Sequence, residues 1–368
     1  LGQLLNDKNI LVTGGAGFIG CALSHRFAAQ ANRFVAVDNL LSQVHPGQER
    51  PKDLHEAAEL VVADVCERST WTDLFNDFRP DIVVHLAAET GTGQSLREAS
   101  KHARTNILGT TELLDALGRC EVLPEQIVLP SSRAVYGEGA WQNRNGDVFY
   151  PGQRSNTQLG SHKWDFDGVP LRSVCGMTRE NPTSVYGSTK LAQEHILRNW
   201  SFSFSVPFSI LRLQNVYGPG QSPFNPYTGI VILFSRLAKN HDQIELYEDG
   251  LITRDFVYID DVLDALAKSI VSPPKEGHRQ LDIGSGVTTK LTELAEMITQ
   301  YHSAPPAVVC GKYRNGDVRH AGCDISAAAK ELGWTPKWSL LDGLKELYRY
   351  LENNNPEMLQ TMVPTKSS

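Results

Sequence analysis

The amino-acid sequence predicts an α/β protein, a doubly wound parallel sheet followed by a smaller C-terminal α/β domain. Three observations predict it. Up to about residue 130, short apolar runs alternate with helical patterns, as parallel strands joined by crossover helices require. The first run, Ile10-Leu11-Val12, leads at once into Gly14-Gly15-Ala16-Gly17-Phe18-Ile19-Gly20, where missing side chains let the backbone turn sharply into a helix. The chain of 368 residues is long for one core, and Gly and Pro concentrate at 218–220.

The first strand and its turn carry the strongest signal. Gly15-x-Gly17-x-x-Gly20 fits the dinucleotide fingerprint of a Rossmann-type sheet, and Gly14-x-x-Gly17-x-x-Gly20 fits equally well. The first glycines admit a pyrophosphate to the helix N-terminus, and the last lets the helix pack on its strand. Gly14, Gly17, Phe18, Ile19 and Gly20 are the candidate cofactor residues here. The second strand, Arg33-Phe34-Val35-Ala36-Val37, ends in Asp38-Asn39. A carboxylate there meets the adenosine ribose hydroxyls and repels a 2′-phosphate, so NAD is expected and NADP is not.

Ligands of open α/β sheets bind beyond the carboxyl ends of the strands. Leu60-Val61-Val62-Ala63 delivers Asp64 and Val65 to that edge, and 81–86 delivers Leu86, Ala87 and Ala88 with the loop 89–95. Asn106, on the next helix, joins the cofactor set. The strand Gln126-Ile127-Val128-Leu129 ends in Ser131-Ser132-Arg133-Ala134. Periodicity then stops from Glu138 to about Pro182, and a loop this long inside a compact domain is read as a lid beside the site.

Tyr186-Gly187-Ser188-Thr189-Lys190 opens an amphipathic helix, with Tyr186 and Lys190 one turn apart on the same face. An ammonium near a phenol stabilises the phenolate, which can then take a proton from an alcohol near neutral pH. Ser132 at the preceding strand end completes the candidate set. The division expected is a dinucleotide-binding domain at 7–215 with a returning segment at about 252–285, a smaller domain at 216–350, and a polar tail at 351–368. Arg254 and Arg314 are candidate diphosphate ligands, because a guanidinium forks onto phosphate oxygens.

Composition narrows the class. Hydrophobic residues at 41% and charged residues at 21% are ordinary globular values, and no apolar run is long enough to span a membrane. A formal charge of −7 without a basic run argues against a nucleic-acid partner. No basic-then-apolar segment opens the chain, so a cytoplasmic location is expected. The cysteines, Cys21, Cys66, Cys120, Cys175, Cys310 and Cys323, form no C-x-x-C pair and read as free thiols with no metal role.

Thr13 to Gly20, Asp38, Asp64-Val65, His85-Leu86-Ala87-Ala88, Ser131-Ser132, Tyr186 to Lys190, Leu211 to Gly220 and Arg254 to Asp261 together resemble the extended short-chain dehydrogenase/reductase family. Its nucleotide-sugar epimerase and dehydratase branch is the nearest part, and the likeness covers roughly residues 8–350. The resemblance implies a tightly held NAD that oxidises the sugar C4 hydroxyl and later returns the hydride. It implies Tyr186 as base, Lys190 on the nicotinamide ribose, and Ser132 on the sugar O4. Asn215, Arg254 and Arg314 fall where the family holds the nucleotide diphosphate. The 4,6-dehydratases place Asp-Glu just before Val-Tyr-Gly, where this chain has Arg133-Ala134. Loss of water across C5 and C6 needs that acid and base, so epimerisation is expected in its place.

The loop with Glu89, Thr90 and Thr92, the Ser-Ser-Arg-Ala run, the long insertion and Asn225-Pro226-Tyr227-Thr228-Gly229 resemble the dTDP-L-rhamnose 4-epimerase group. Glu89, Thr90, Thr92, Ser132 and Arg133 join the substrate set on that basis. UDP-glucose 4-epimerases carry a different loop and lack the insertion, which ranks them second. A 4,6-dehydratase-like enzyme and an NAD-binding sensor without catalysis are the remaining readings. Family members commonly pair through two helices, here about 96–117 and 186–200, so a homodimer is expected.

Overall fold

The computed structural model describes residues 5–222, 229–275 and 277–354. Most of the Asn225 to Gly229 motif and the tail beyond residue 354 lie outside the described residues.

Seven strands form the main sheet: β1 (Asn9–Thr13), β2 (Arg33–Asp38), β3 (Glu59–Val62), β4 (Ile82–His85), β5 (Gln126–Ser132), β6 (Phe208–Leu213) and β7 (His278–Ile283). Their order is β7-β6-β5-β4-β1-β2-β3, and every neighbouring pair is parallel. Strand direction of winding reverses between β1 and β4, so a crevice opens at their carboxyl ends. The continuous apolar runs have a physical cause. Ile10, Val12, Phe34 and Ala36 face one core, while Leu11, Val35 and Val37 face the other, so both faces are buried.

The core under the first face runs unbroken from β1 through the helices Ile230–Lys239 and Leu291–His302 to Trp334 and Leu347. Near the expected exit at 216, Asn215–Tyr217 pairs in parallel with Thr253–Tyr258, which pairs antiparallel with Thr288–Lys290. The chain rejoins the main sheet through the helix Ile259–Val271 and β7.

α1 (Phe18–Phe27) begins at Gly17, which offers no side-chain cap to its first backbone N–H groups, and Gly17 itself lines the crevice. α2 (Val185–Phe204) is capped by Ser184, whose hydroxyl accepts from the Gly187 N–H at 3.0 Å. A Cβ on Gly187 would lie 2.6 Å from the Ala134 carbonyl oxygen. The missing side chain therefore lets α2 sit directly on the turn after β5.

The insertion folds as a three-stranded sheet, with Trp141–Gln142 between Val148–Phe149 and Val169–Pro170, and the short helix Asn156–Gly160 lies in the chain between the latter two strands. Its fastening is ionic. Arg154 lies 2.8 Å from Glu248 and 3.2 Å from Glu138, while Arg319 reaches Asp165 at 2.9 Å, Glu248 at 3.0 Å and Asp249 at 2.7 Å. Arg154, Glu248 and Arg319 are each 1% exposed, so the insertion expected as a lid is pinned to the body by buried charge. Among the described residues, no helix is long and apolar enough to cross a membrane.

Candidate active site

A cleft of about 750 Å³ lies at the winding reversal. Gly14, Gly17, Asp38, Asn39, Val65, Leu86, Ala87, Ala88, Glu89 and Thr90 all line it. The two glycine registers separate here. Gly14 has φ +64°, and a Cβ on it would meet the Ala87 nitrogen at 2.7 Å. Gly15 faces away, packed on Ala36, and Gly20 lies against Gly15, where a Cβ would stand 2.6 Å from the Gly15 Cα. Gly14 and Gly17 face the cleft, so Gly14 and not Gly15 is the first glycine of the cleft-facing register.

Asp38 is braced rather than free to swing. Its carboxylate accepts from the Ala16 N–H at 3.1 Å and the Leu40 N–H at 3.0 Å, which ties the end of β2 to the glycine turn. Asp64 is turned to its own loop, accepting from the Cys66 N–H at 2.9 Å and facing Arg104 at 3.5 Å, while its neighbours Ala63 and Val65 line the cleft. Phe18 lines a separate cleft with Tyr258 and Tyr350, and Ile19 packs against the core.

Asn106 acts from behind the wall. It sits in a π-turn, Arg104–Leu108, inside the helical stretch 99–119, and the turn aims its buried amide inward. The amide accepts from the Glu89 N–H at 2.8 Å and donates to the Glu89 carbonyl at 3.0 Å and to Thr189 at 2.9 Å. Loop 87–90 is thereby clamped to α2.

Ser132 and Tyr186 meet across the contact between the β5 turn and α2, where the Ser132 hydroxyl acts on the Tyr186 phenol. Burial raises the Tyr186 phenol above its ordinary value, and the neighbouring Ser132 hydroxyl and the Arg133 charge pull it back. Lys190 donates to the Pro130 carbonyl at 3.0 Å and to Gln193, and burial lowers its ammonium to about 8. Ser131 points to the opposite side of the strand from the cleft, its hydroxyl donating to Glu194, which also takes Arg212 at 2.7 Å.

Near Tyr186, the Arg133 guanidinium is repelled by the like charge of Arg254. The Arg133 Nη1 and the Asn215 Oδ1 are shielded from solvent without hydrogen-bond partners, an arrangement that fits a ligand rich in oxygen and negative charge. Arg314 stands apart, exposed over the Tyr247 ring at 4.8 Å. Thr92 opens the short helix Thr92–Ser95, which touches α2 through Ser95: its hydroxyl accepts from the Tyr186 N–H at 3.1 Å.

Residues 10–284 match the NAD dependent epimerase/dehydratase family. The chain belongs to that family. It is 56% identical over 350 residues to a dTDP-L-rhamnose 4-epimerase of Burkholderia thailandensis, covering 95% of this chain and 96% of that one. A UDP-glucose 4-epimerase of Mycolicibacterium smegmatis is 29% identical over 350 residues, 94% of this chain and 99% of its own. Among solved structures, the Thermotoga maritima UDP-glucose 4-epimerase with UDP-glucose superposes with a TM-score of 0.78 at 27% identity, covering 94% of this chain and 99% of that one.

The NAD dependent epimerase/dehydratase family uses NAD, and the cradle around Gly14 fits it: a narrow approach to backbone N–H groups that any side chain would fill. Several lining residues had no signal in the sequence. Leu41, Gln43, Val44 and His45 come from the aperiodic loop after β2, and Thr105 from the π-turn. Gln43 and Gln94 exchange amide hydrogen bonds at 3.2 and 3.0 Å, joining two loops that sequence spacing does not relate.

Proposed function

We propose that the chain is a nucleotide-sugar 4-epimerase whose substrate is dTDP-L-rhamnose. The observation that carries the reaction type is the Ser132 and Tyr186 hydroxyl pair, with Arg133 and Ala134 beside it where an acid and a base for dehydration would stand. Ser132 orients the sugar O4 hydroxyl, and Tyr186 takes its proton and later gives it back. NAD, when bound, supplies reversible oxidation at C4. Lys190, fixed through Pro130 and Gln193, holds the nicotinamide ribose, and Asp38 holds the adenosine ribose. Asn215 and Arg254 hold the diphosphate, with Arg314 at the rim. Glu89 and Thr90 border the sugar.

The substrate choice rests on the relative at 56% identity and on the insertion. Product NMR after incubation with dTDP-L-rhamnose tests it: the C4 epimer should accumulate without net NADH. With dTDP-glucose no 4-keto-6-deoxy sugar should form, and its appearance would overturn the epimerase reading. UDP-glucose is the second substrate to try, given the relatives that carry that name. We also propose a cytoplasmic homodimer, supported by six free thiols and by exposed Leu96 and Leu108 on the first of the two helical stretches expected to pair. Light scattering tests the dimer.

A further inference from the structure

Arg133 stands in the 3-10 turn Arg133–Tyr136 directly after β5, opposite the first turn of α2. The position is fixed by backbone. The Ser132 hydroxyl accepts from the Ala134 N–H at 3.1 Å, and the Ala134 carbonyl fills the space left by Gly187. One residue before each of these contacts lie Arg133 and Tyr186, which this backbone contact makes neighbours.

A buried structural arginine normally has its donors satisfied by acceptors, as Arg319 has by Asp165, Glu248 and Asp249. Arg133 is different. Its Nη1 is shielded and has no partner. The charged groups facing it are Arg254, Asp317, Glu138 and Tyr186. Glu138 is already committed to Arg154 and to the Arg319 N–H. Burial and the facing Arg254 push the Arg133 guanidinium down from its ordinary value, and Asp317 and Glu138 pull it back only in part, so its charge is held there without an ion pair of its own.

Lys190, the cation expected to act on Tyr186, is occupied by the Pro130 carbonyl and Gln193. The groups that bear on the phenol are Ser132 and Arg133. We propose that Arg133 joins the base to the substrate: its positive charge stabilises the Tyr186 phenolate, and its Nη1 donates to an oxygen of the bound nucleotide sugar. The balance is a simple proton transfer. The O4–H bond of the sugar breaks toward the phenolate oxygen to give the neutral phenol, and the same proton returns when C4 is reduced. A guanidinium at this point cannot itself take the proton, so it favours the phenolate without competing for it.

This inference rests on Tyr186 being the base but not on the identity of the sugar. The test is a spectrophotometric titration of the tyrosinate band in the full-length, NAD-loaded protein, with Tyr186→Phe as the blank. In Arg133→Met the Tyr186 midpoint should rise by about one pH unit, and Arg133→Lys should recover most of the difference. The acid limb of the kcat/KM profile should move by the same amount, and KM for dTDP-L-rhamnose should rise by about tenfold. An unchanged Tyr186 midpoint in folded, NAD-loaded Arg133→Met would overturn the proposal. So would a midpoint in Arg133→Lys no lower than in Arg133→Met. If Arg133→Met does not fold, Arg133→Gln gives the same comparison. The titration uses no substrate, so a failed substrate assignment leaves its outcome readable.

Discussion

The Thr110 hydroxyl fixes the tautomer of His85. Its one proton goes to the Asn106 carbonyl at 2.7 Å, so the His85 Nε2, 2.9 Å from the same oxygen, must be the donor. Nδ1 then accepts from Thr13 at 2.7 Å, and Thr13 in turn accepts from the Ala87 N–H at 3.1 Å. The Gln193 amide donates to Thr110 at 2.8 Å and accepts from Lys190 on its other side. A directed chain of bonds thus links the cofactor wall at Ala87 to Lys190.

That chain predicts a pH dependence of stability. Burial and the nearby Lys190 lower the His85 imidazole to about 3 from an ordinary 6.5. Between those values the unfolded chain binds a proton that the folded protein excludes, so stability falls as pH drops through the window, by up to about 1.4 kcal/mol per pH unit. Urea unfolding of His85→Gln should show a slope shallower by about one proton. Equal slopes for the two proteins would mean that His85 titrates normally.

Removing the phenol oxygen isolates the proton step. Tyr186→Phe should keep its fold and its NAD but lose about a hundredfold or more in turnover. Single-turnover rates on the NAD-loaded protein are the measurement, and activity within a fewfold of wild type would assign the base elsewhere.

Cofactor choice should follow Asp38. With its carboxylate braced by the Ala16 and Leu40 N–H groups, it cannot swing away from a 2′-phosphate. Calorimetry should find NADP at least about tenfold weaker than NAD, with the gap narrowed in Asp38→Asn. Equal affinities in the wild type would exclude this role.

The fastening of the insertion can be broken at one residue. Arg154→Leu leaves Glu138 and Glu248 buried with one guanidinium fewer, and the expected loss is about 3–5 kcal/mol. Chemical denaturation measures the loss, and limited proteolysis should show faster cleavage within 138–182. Resistance equal to the wild type would mean that the ion network is not what holds the segment.

The features legible in the sequence were those with a local period or a fixed spacing. The alternation of apolar runs, the glycine turn, Asp38 at a strand end and the Tyr186 to Lys190 turn each follow from geometry within a few residues. What escaped depended on pairs far apart in the chain or on which side of a strand a group points. Ser131 and Ser132 are adjacent, yet pleating sends one to Glu194 and the other to Tyr186. Asn106 sits in a π-turn that aims its amide at Glu89 and Thr189, contacts that no sequence spacing announces. Arg319 is 181 residues from Glu138, and no periodic pattern connects them.

The shared burial of Arg154, Arg319 and Glu248 also constrains how such a segment could be inherited. Moved alone into a shorter relative, residues 138–182 would keep the Arg154–Glu138 pair but would lose Glu248 as the second partner of Arg154 and Arg319 as the partner of Asp165. The insertion, the Glu248-Asp249 turn and Arg319 must travel as one set. A recombinant that exchanges all three should fold, whereas each partial chimera inherits an unbalanced interior charge.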